Sequence, residues 1–426
     1  MDIGNTYRVD IEGKEAKEGV FVSEDEDHVF LKLDSGYNIG IAKDSIISKQ
    51  LIQEKEDEEG KDTKNISDPD ILILHTGGTI ASKVDYSTGA VTSKFTPEEV
   101  LDLFPGLEDY GVIDSTLISN MPSDDMNFHH YNKMGEVIEE AVKNKPSLKG
   151  IILTHGTDTL HYTTAALRFS LENLPIPVVV VGSQRSSDRP SSDAHMNLMN
   201  SAFSIEKLNA ANKAGVFACM HGTSEDKTCT LYNGVNLRKN HTSRRDAFEQ
   251  VNQEPIAEMN HEEDTFEFIR EPQDSSGSFE RKPFDTDKKV GLIKARPGLK
   301  PEELEPYQDF DALLLEGTGL GHMPINTFDD ATKDNEVIYE FIKESAEQKP
   351  VGLTSQTIYG RINMNVYSPG RKLKEAGVLG HNTDMITETA YVKMHWLISN
   401  YDSEMVKELY DKNLRGEITT RTEYSN

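Results

Sequence analysis

Two short stretches each set a hydroxyl at the point where an apolar run ends. Residues 75–81 read HTGGTIA directly after ILIL, and residues 154–159 read THGTDT directly after GIIL. In the first, Gly77 and Gly78 let the backbone approach a ligand without a Cβ clash and allow angles other residues avoid. Their N–H groups could face a developing oxyanion, and Thr79 then presents its alcohol. In the second, Thr157 and Asp158 follow Gly156 side by side. A threonine alcohol is a poor nucleophile until a base activates it, and a neighbouring carboxylate can orient that base or hold a substrate ammonium group. Both stretches also have a plainer reading. A strand followed by two glycines is a common turn, and Thr and Asp are favoured caps for the helical pattern TLHYTTAALRF that follows. Neither is a phosphate loop, because no Gly-Lys-Ser/Thr follows.

The elements that must position these groups are visible as alternation. ILILHTGG (71–78), GIILTHGTDT (150–159), PVVVVGSQ (177–184) and GVFACMHG (215–222) are apolar runs ending in polar loops. Helical patterns such as HHYNKMGEVIEEAVKN (129–144) and TLHYTTAALRFSLEN (159–173) lie between them. Apolar strands alternating with helices predict an α/β fold with a parallel sheet covered on both faces. Such sheets carry their sites at the carboxyl ends of strands, where both hydroxyl stretches fall. The polar EPQDSSGSFERKPFDTD (271–287) divides this region from a second α/β lobe built on KVGLIKARPG, FDALLLEGTGLG and KPVGLTSQT. ITETAYVKMHWLISN (386–400) reads as a closing amphipathic helix.

Ahead of these lobes the period changes. Residues 6–49 alternate apolar and polar side chains in short runs broken by Gly, Asp and Ser, which predicts a small antiparallel barrel or sheet. QEKEDEEGKDTKNISDPD (53–70) is almost free of apolar side chains and reads as a solvated linker. The expected division is a small SH3-like β-barrel at 1–50, an acidic linker at 51–69, and a larger α/β lobe at 70–270. A second linker at 271–288 and a smaller α/β lobe at 289–426 complete it.

Composition narrows the function. The 426 residues are 36% hydrophobic and 28% charged, an ordinary globular balance. Acidic residues outnumber basic ones 73 to 45, a formal charge of -28, which argues against this chain alone wrapping nucleic acid and reads as a solubility feature. Cys219 and Cys229 are the only cysteines, so no disulfide framework and no CxxC site is expected. HEED (261–264) lacks the second histidine of a zinc helix and His129-His130 lacks ligand spacing, so no metal is expected. The polar start MDIGNTYRVDIEG and the lack of any run of ~20 apolar residues lead to an expected cytoplasmic location.

The pair TGGTIA and HGTDT, on a two-lobed α/β chain, resembles the type II L-asparaginase and glutaminase family over most of residues 71–400. PSDDMN (122–127) resembles the family's Ser-x-Asp-Met segment, and RKNHTSRRDAF (238–248) resembles the segment carrying its essential lysine. The resemblance implies that Thr79 is the nucleophile and that Thr157, Asp158 and Lys239 form a companion triad for proton transfer. It implies that Ser123 and Asp124 bind the amino acid groups of the substrate, and that Tyr86, in KVDYSTGAV, belongs to a mobile lid. On residue type alone, Lys239 would be a surface charge and Tyr86 an exposed loop aromatic. Two departures stand out. Asp124 replaces a glutamine common in bacterial members, and Leu320, in GTGLGHMP (317–324), stands where many members place a polar amide, which puts the usual cross-subunit contribution in doubt.

LKLDSGYNIGI (31–41), the acidic linker and HTGGTIASKVDYSTGAV, with HTSRRDAF and SQTIYGRINMNVYSPGRKL (355–373), resemble the D subunits of archaeal tRNA-dependent amidotransferases. That resemblance implies a glutaminase without a cofactor of its own, working as a heterodimer with its partner or as a dimer of heterodimers, a heterotetramer built on a homodimer. Its partner would be GatE, which uses ATP and Mg to activate the glutamate on tRNA(Gln) and makes most of the tRNA contact. Two rivals remain at this point: a free-standing L-asparaginase with an appended N-terminal domain, and a non-catalytic binding scaffold.

Overall fold

The structure is a computed structural model that describes residues 1, 5–33, 38–53, 68–78, 80, 83–85, 90–92, 100, 101, 103–185, 191–273 and 277–421. The N-terminal module is a five-stranded antiparallel sheet in the order β4-β3-β2-β1-β5. Its strands are β1 (Thr6–Ile11), β2 (Lys17–Glu24), β3 (His28–Lys32), β4 (Asn38–Ala42) and β5 (Ile46–Gln53). The period of two is real: Tyr7, Val9 and Ile11 point inward to meet Phe21, Val29, Leu31 and Ile41. Register shifts between Phe21 and Ser23, and twice along the β1–β5 pair, curve the sheet round this core. A one-turn 3₁₀ helix at Lys43–Ser45 joins β4 to β5.

The larger lobe runs β6 (Ile71–His75), a small hairpin β7 (Lys83–Asp85) and β8 (Ala90–Thr92), β9 (Ile113–Leu117), α1 (Phe128–Asn144) and β10 (Gly150–Thr154). It continues through α2 (Leu160–Ser170), β11 (Leu171–Glu172), β12 (Pro177–Val181), α3 (Ala194–Ala210) and β13 (Gly215–His221). Then come β14 (Cys229–Asn233), β15 (Leu237–Lys239), β16 (Phe248–Gln250), β17 (Ala257–Asn260) and β18 (Thr265–Phe268). Among the described residues the main sheet has the order β18-β17-β14-β13-β12-β10-β6-β9. Strands β9, β6, β10, β12 and β13 are parallel, whereas β14, β17 and β18 continue the sheet antiparallel. The four apolar runs thus form the expected parallel sheet, and an antiparallel edge extends it. Strands β6, β10, β12 and β13 are buried along their whole length because helices cover both faces. Leu198 and Phe203 of α3 pack on Ile73 and Val179 from one side. Ile138 of α1 and Leu167 of α2 pack on Leu74 and Leu153 from the other.

Between the lobes, β19 (Glu280–Arg281) pairs with β11 of the larger lobe. A three-stranded parallel sheet follows, in the order β20 (Val290–Lys294), β21 (Ala312–Gly317), β22 (Val351–Ser355). Its helices are α4 (Asp334–Gln348), α5 (Ser368–Glu375), α6 (Thr387–Asn400) and α7 (Ser403–Leu409). Helix α6 departs from the amphipathic reading, since ten of its fourteen residues are buried, Glu388 and Lys393 included. It lies between α2 and β21, where Trp396 and Leu397 meet Phe169 and Leu314 and join the two lobes into one core. Its charged residues are paired, Glu388 with Arg238 of the larger lobe and Lys393 with Glu417 of the C-terminal tail.

Candidate active site

The site is built where the main sheet ends. Strands β6 and β10 run parallel with His75 opposite Thr154, so the residues that follow leave the sheet side by side. The Thr76 hydroxyl donates to the Thr154 carbonyl at 2.8 Å and the Thr76 carbonyl accepts from the Met121 N–H at 3.3 Å. Gly77 and Gly78 adopt φ of 110° and 87°, in the left-handed region that favours glycine. A Cβ on Gly77 would lie 2.6 Å from the Met121 carbonyl oxygen, and one on Gly78 would lie 2.7 Å from the Gly156 nitrogen. A Cβ on Gly156 would lie 2.9 Å from the Ser123 hydroxyl, and one on Gly182, just past β12, 2.8 Å from the Thr157 methyl. The glycines read as clearance for a ligand thus serve first as clearance for neighbouring chain, because four loops meet here.

Thr157, Asp158 and Lys239 converge in this space. Lys239 closes β15, a strand held by β16 with Lys239 opposite Phe248. Its Nζ donates to Thr157 Oγ1 at 2.9 Å and to Asp158 Oδ1 at 2.7 Å. The lysine side chain is only 9% exposed while that of Asp158 is 61% exposed, so the amine enters the protein and the carboxylate sits at the rim. Capping is not what Thr157 and Asp158 do: helix α2 starts at Leu160 behind Thr159, with no side-chain cap bond. The Thr159 hydroxyl instead donates to the Ser123 carbonyl at 2.6 Å, and its N–H to Ser123 Oγ at 3.4 Å. Ser123 is thereby buried against the 156–159 loop, and Asp124, in the same short 3₁₀ turn, is exposed. Thr79 and Tyr86 lie outside the described residues.

Histidines support the loops without adding charge. His155 is wholly buried, and its Nδ1–H donates to the Gly156 carbonyl at 2.7 Å, so Nε2 accepts from the Thr163 hydroxyl at 2.8 Å. Burial pushes its pKa down to about 4, against the opposing pull of the Gly156 carbonyl. Burial does the same to His75, at about 4, and to His161, at about 3, where the cations Arg238 and Lys239 add to it. All three are neutral at physiological pH, so they add no positive charge beside the Lys239 amine that donates to Thr157. Reading residue by residue overlooked His155, although it stands inside the HGTDT stretch. A hydroxyl, an amine and a carboxylate within hydrogen-bonding distance can relay one proton and balance the resulting charge.

Among the described residues there is no group of three or more side chains able to hold a metal ion. Nor is any helix among them long and apolar enough to cross a membrane. Both cysteines are buried free thiols.

Comparison with known proteins places this geometry. Residues 70–274 match the asparaginase N-terminal family, residues 289–409 the glutaminase/asparaginase C-terminal domain, and residues 1–52 the GatD N-terminal domain. The chain is 39% identical to the glutamyl-tRNA(Gln) amidotransferase D subunit of Methanococcus maripaludis, over 98% of each chain. It is 39% identical to that of Archaeoglobus fulgidus (99% of this chain, 96% of the other) and 37% to that of Sulfolobus acidocaldarius (98% and 92%). Among solved structures, the thermostable L-asparaginase from Thermococcus kodakarensis superposes with a TM-score of 0.71 at 30% identity, covering 82% of this chain and 99% of the other. L-asparaginase I from Vibrio cholerae gives 0.66 at 27% identity, covering 83% and 99%. The two lobes are those of an asparaginase, the N-terminal sheet is the module the D subunits add, and the chain belongs to the family of glutamyl-tRNA(Gln) amidotransferase D subunits, amidohydrolases of the asparaginase/glutaminase type.

Proposed function

We propose that this chain hydrolyses the side-chain amide of L-glutamine through Thr79 and supplies the ammonia to a partner subunit, GatE, which amidates Glu-tRNA(Gln). The observation that carries the reading is the Lys239 amine bonded to both Thr157 and Asp158 at the ends of parallel strands. Thr79 is the residue after Gly78, and Thr157 the residue after Gly156, the two glycines in backbone contact. In the first step the Thr79 oxygen attacks the amide carbon, its proton passes to the base, and the C–N bond breaks as the departing nitrogen gains a proton. In the second step water attacks the ester and regenerates the Thr79 hydroxyl with release of glutamate. Lys239 moves the proton through the Thr157 hydroxyl, and Asp158 balances the ammonium that forms.

Ser123 and Asp124 are assigned to the amino acid groups of the substrate, and Tyr86 to the lid over the nucleophile. None of these steps needs a cofactor in this chain; ATP and Mg belong to the partner. A formal charge of -28 is consistent with a cytoplasmic subunit that leaves most tRNA contact to that partner. The assembly we infer is a heterodimer with that partner or a dimer of such heterodimers.

The test is ammonia release from glutamine by the full chain, with and without GatE and charged tRNA. Thr79→Ala is expected to lower it by on the order of 10⁴-fold while partner binding persists. Glutaminase activity retained in that variant would refute the assignment. The L-asparaginases among the structural neighbours favour one rival, a free-standing asparaginase. Brisk asparagine hydrolysis by the chain alone, indifferent to tRNA, would decide for it.

A further inference from the structure

We infer that Arg238 and Glu388 are a positioning pair through which the smaller lobe holds the Lys239 amine on Thr157. The inference rests on the catalytic reading of Lys239 and extends it to residues outside the site. Successive side chains of a strand point to opposite faces. On β15, Lys239 therefore faces Thr157 and Asp158, while Arg238 faces away and its Nη1 donates to Glu388 Oε1 in the first turn of α6. The Glu388 side chain is 10% exposed, and its other oxygen, Oε2, is buried without a hydrogen-bond partner among the described residues.

A second tie fixes the same three-residue strand just before it starts. Asn236 is fully buried with φ of 54°. Its N–H donates to Thr389 Oγ1 at 2.9 Å, its Nδ2 to the Glu417 carbonyl at 2.8 Å, and its Oδ1 accepts from the Ile386 N–H at 3.4 Å. Every one of these partners lies on α6, beside it, or on the C-terminal tail. Within sheets, β15 pairs only with β16 among the described residues; Leu237 packs on Leu160 and Leu167 of α2, and Arg238 and Asn236 tie the strand to α6. Helix α6 is itself anchored, because Lys393 and Glu417 form a fully buried ion pair at 2.6 Å. The lysine that serves the larger lobe is thus held from behind by the smaller one. Removing either partner leaves the other charge of a largely buried pair uncompensated, which loosens the contact that holds β15, and a shift of about 1 Å at a proton-transfer group can cost on the order of 100-fold in rate.

The experiment is steady-state ammonia release from glutamine by the full chain with its partner subunit, in Glu388→Gln, Lys239→Ala and the double variant. Glu388→Gln is expected to lower kcat by roughly 10- to 100-fold with KM within about threefold. In the Lys239→Ala background the same change is expected to add nothing, since the group it positions is gone. Arg238→Lys should retain more activity than Arg238→Met. Parent kcat in Glu388→Gln, or an equal fold-loss in both backgrounds, would overturn the inference and leave the catalytic reading standing. Parent kcat in Lys239→Ala would overturn the catalytic reading, and the inference with it. Should Glu388→Gln lose its circular dichroism signal, Arg238→Met takes its place in the same cycle with the same expectations.

Discussion

Gly78 runs so close to Gly156 that a Cβ on the first would lie 2.7 Å from the nitrogen and 3.0 Å from the Cα of the second. Both contacts are to backbone, which cannot rotate aside, and Gly78 has φ of 87°. Gly78→Ala must therefore push the two strand ends apart. Ammonia release should fall at least about 100-fold, and strain should cost on the order of 1–3 kcal/mol of stability. Gly135→Ala, in the middle of α1, is the contrast. Its nearest neighbour would be the flexible Arg281 Cδ at 3.4 Å, so this variant should keep its activity and gain roughly 0.5–1 kcal/mol. Rates and thermal melts of the two variants test the pair.

Lys239→Met separates activity from stability. The amine's partner Asp158 is 61% exposed, so water solvates its carboxylate once the lysine is gone. We expect glutamine hydrolysis to drop by on the order of 10³-fold or more while the melting temperature moves by no more than about 2 °C. A variant as active as the parent would remove Lys239 from the proton relay.

Much of this site was legible because its strands are apolar throughout and end abruptly in glycine and hydroxyl residues. TGGT and HGTDT could be set at strand ends from that pattern alone. What the pattern hid is long-range. Thr157 and Asp158 looked like helix caps until Lys239, 81 residues away, took the carboxylate. Glu388 and Lys393 gave α6 a polar stripe, yet each has a charged partner that local periodicity cannot reveal, Arg238 lying 150 residues from Glu388. The antiparallel edge of the main sheet was missed because β17 and β18 are four residues each and flanked by polar turns. The role of the glycines was legible in kind but not in partner, since only the assembled loops show what each hydrogen avoids.

Acid should weaken the fold through the buried histidines. His155 titrates near 6.5 when unfolded and is pushed down to about 4 by burial in the native state. A depressed pKa favours the neutral folded form above 6.5, and that advantage is lost as pH falls toward 4, where the unfolded chain takes up the proton first. A shift of this size corresponds to roughly 3 kcal/mol. His75 acts in the same direction for the same reason. The melting temperature should therefore fall between pH 6.5 and pH 4, and a folded His155→Gln variant should show a shallower slope. An unchanged slope would mean that His155 is not the buried neutral group described.

Lys393 and Glu417 offer the sharpest test of what joins the lobes. Both side chains are 0% exposed and 2.6 Å apart, with Lys393 on α6 and Glu417 on the C-terminal tail. Burial alone would drive the lysine toward its neutral form, and the facing carboxylate opposes that. Glu417 also accepts the N–H groups of Leu414 and Arg415, so it has partners that Lys393 lacks. Lys393→Met leaves a carboxylate buried without its cation and should cost about 3–5 kcal/mol. Glu417→Gln should also destabilise, since it leaves the buried Lys393 ammonium with the Lys412 carbonyl and the face of the Tyr410 ring but no countercharge bonded to it. Lys393→Met/Glu417→Gln should then recover part of the loss, because neither charge is left alone. Because the same tail carries the carbonyl that holds Asn236, Lys393→Met should lower kcat at a temperature where it is still folded. Full kcat alongside a lowered melting temperature would show that the tail stabilises the lobes without positioning the Lys239 strand.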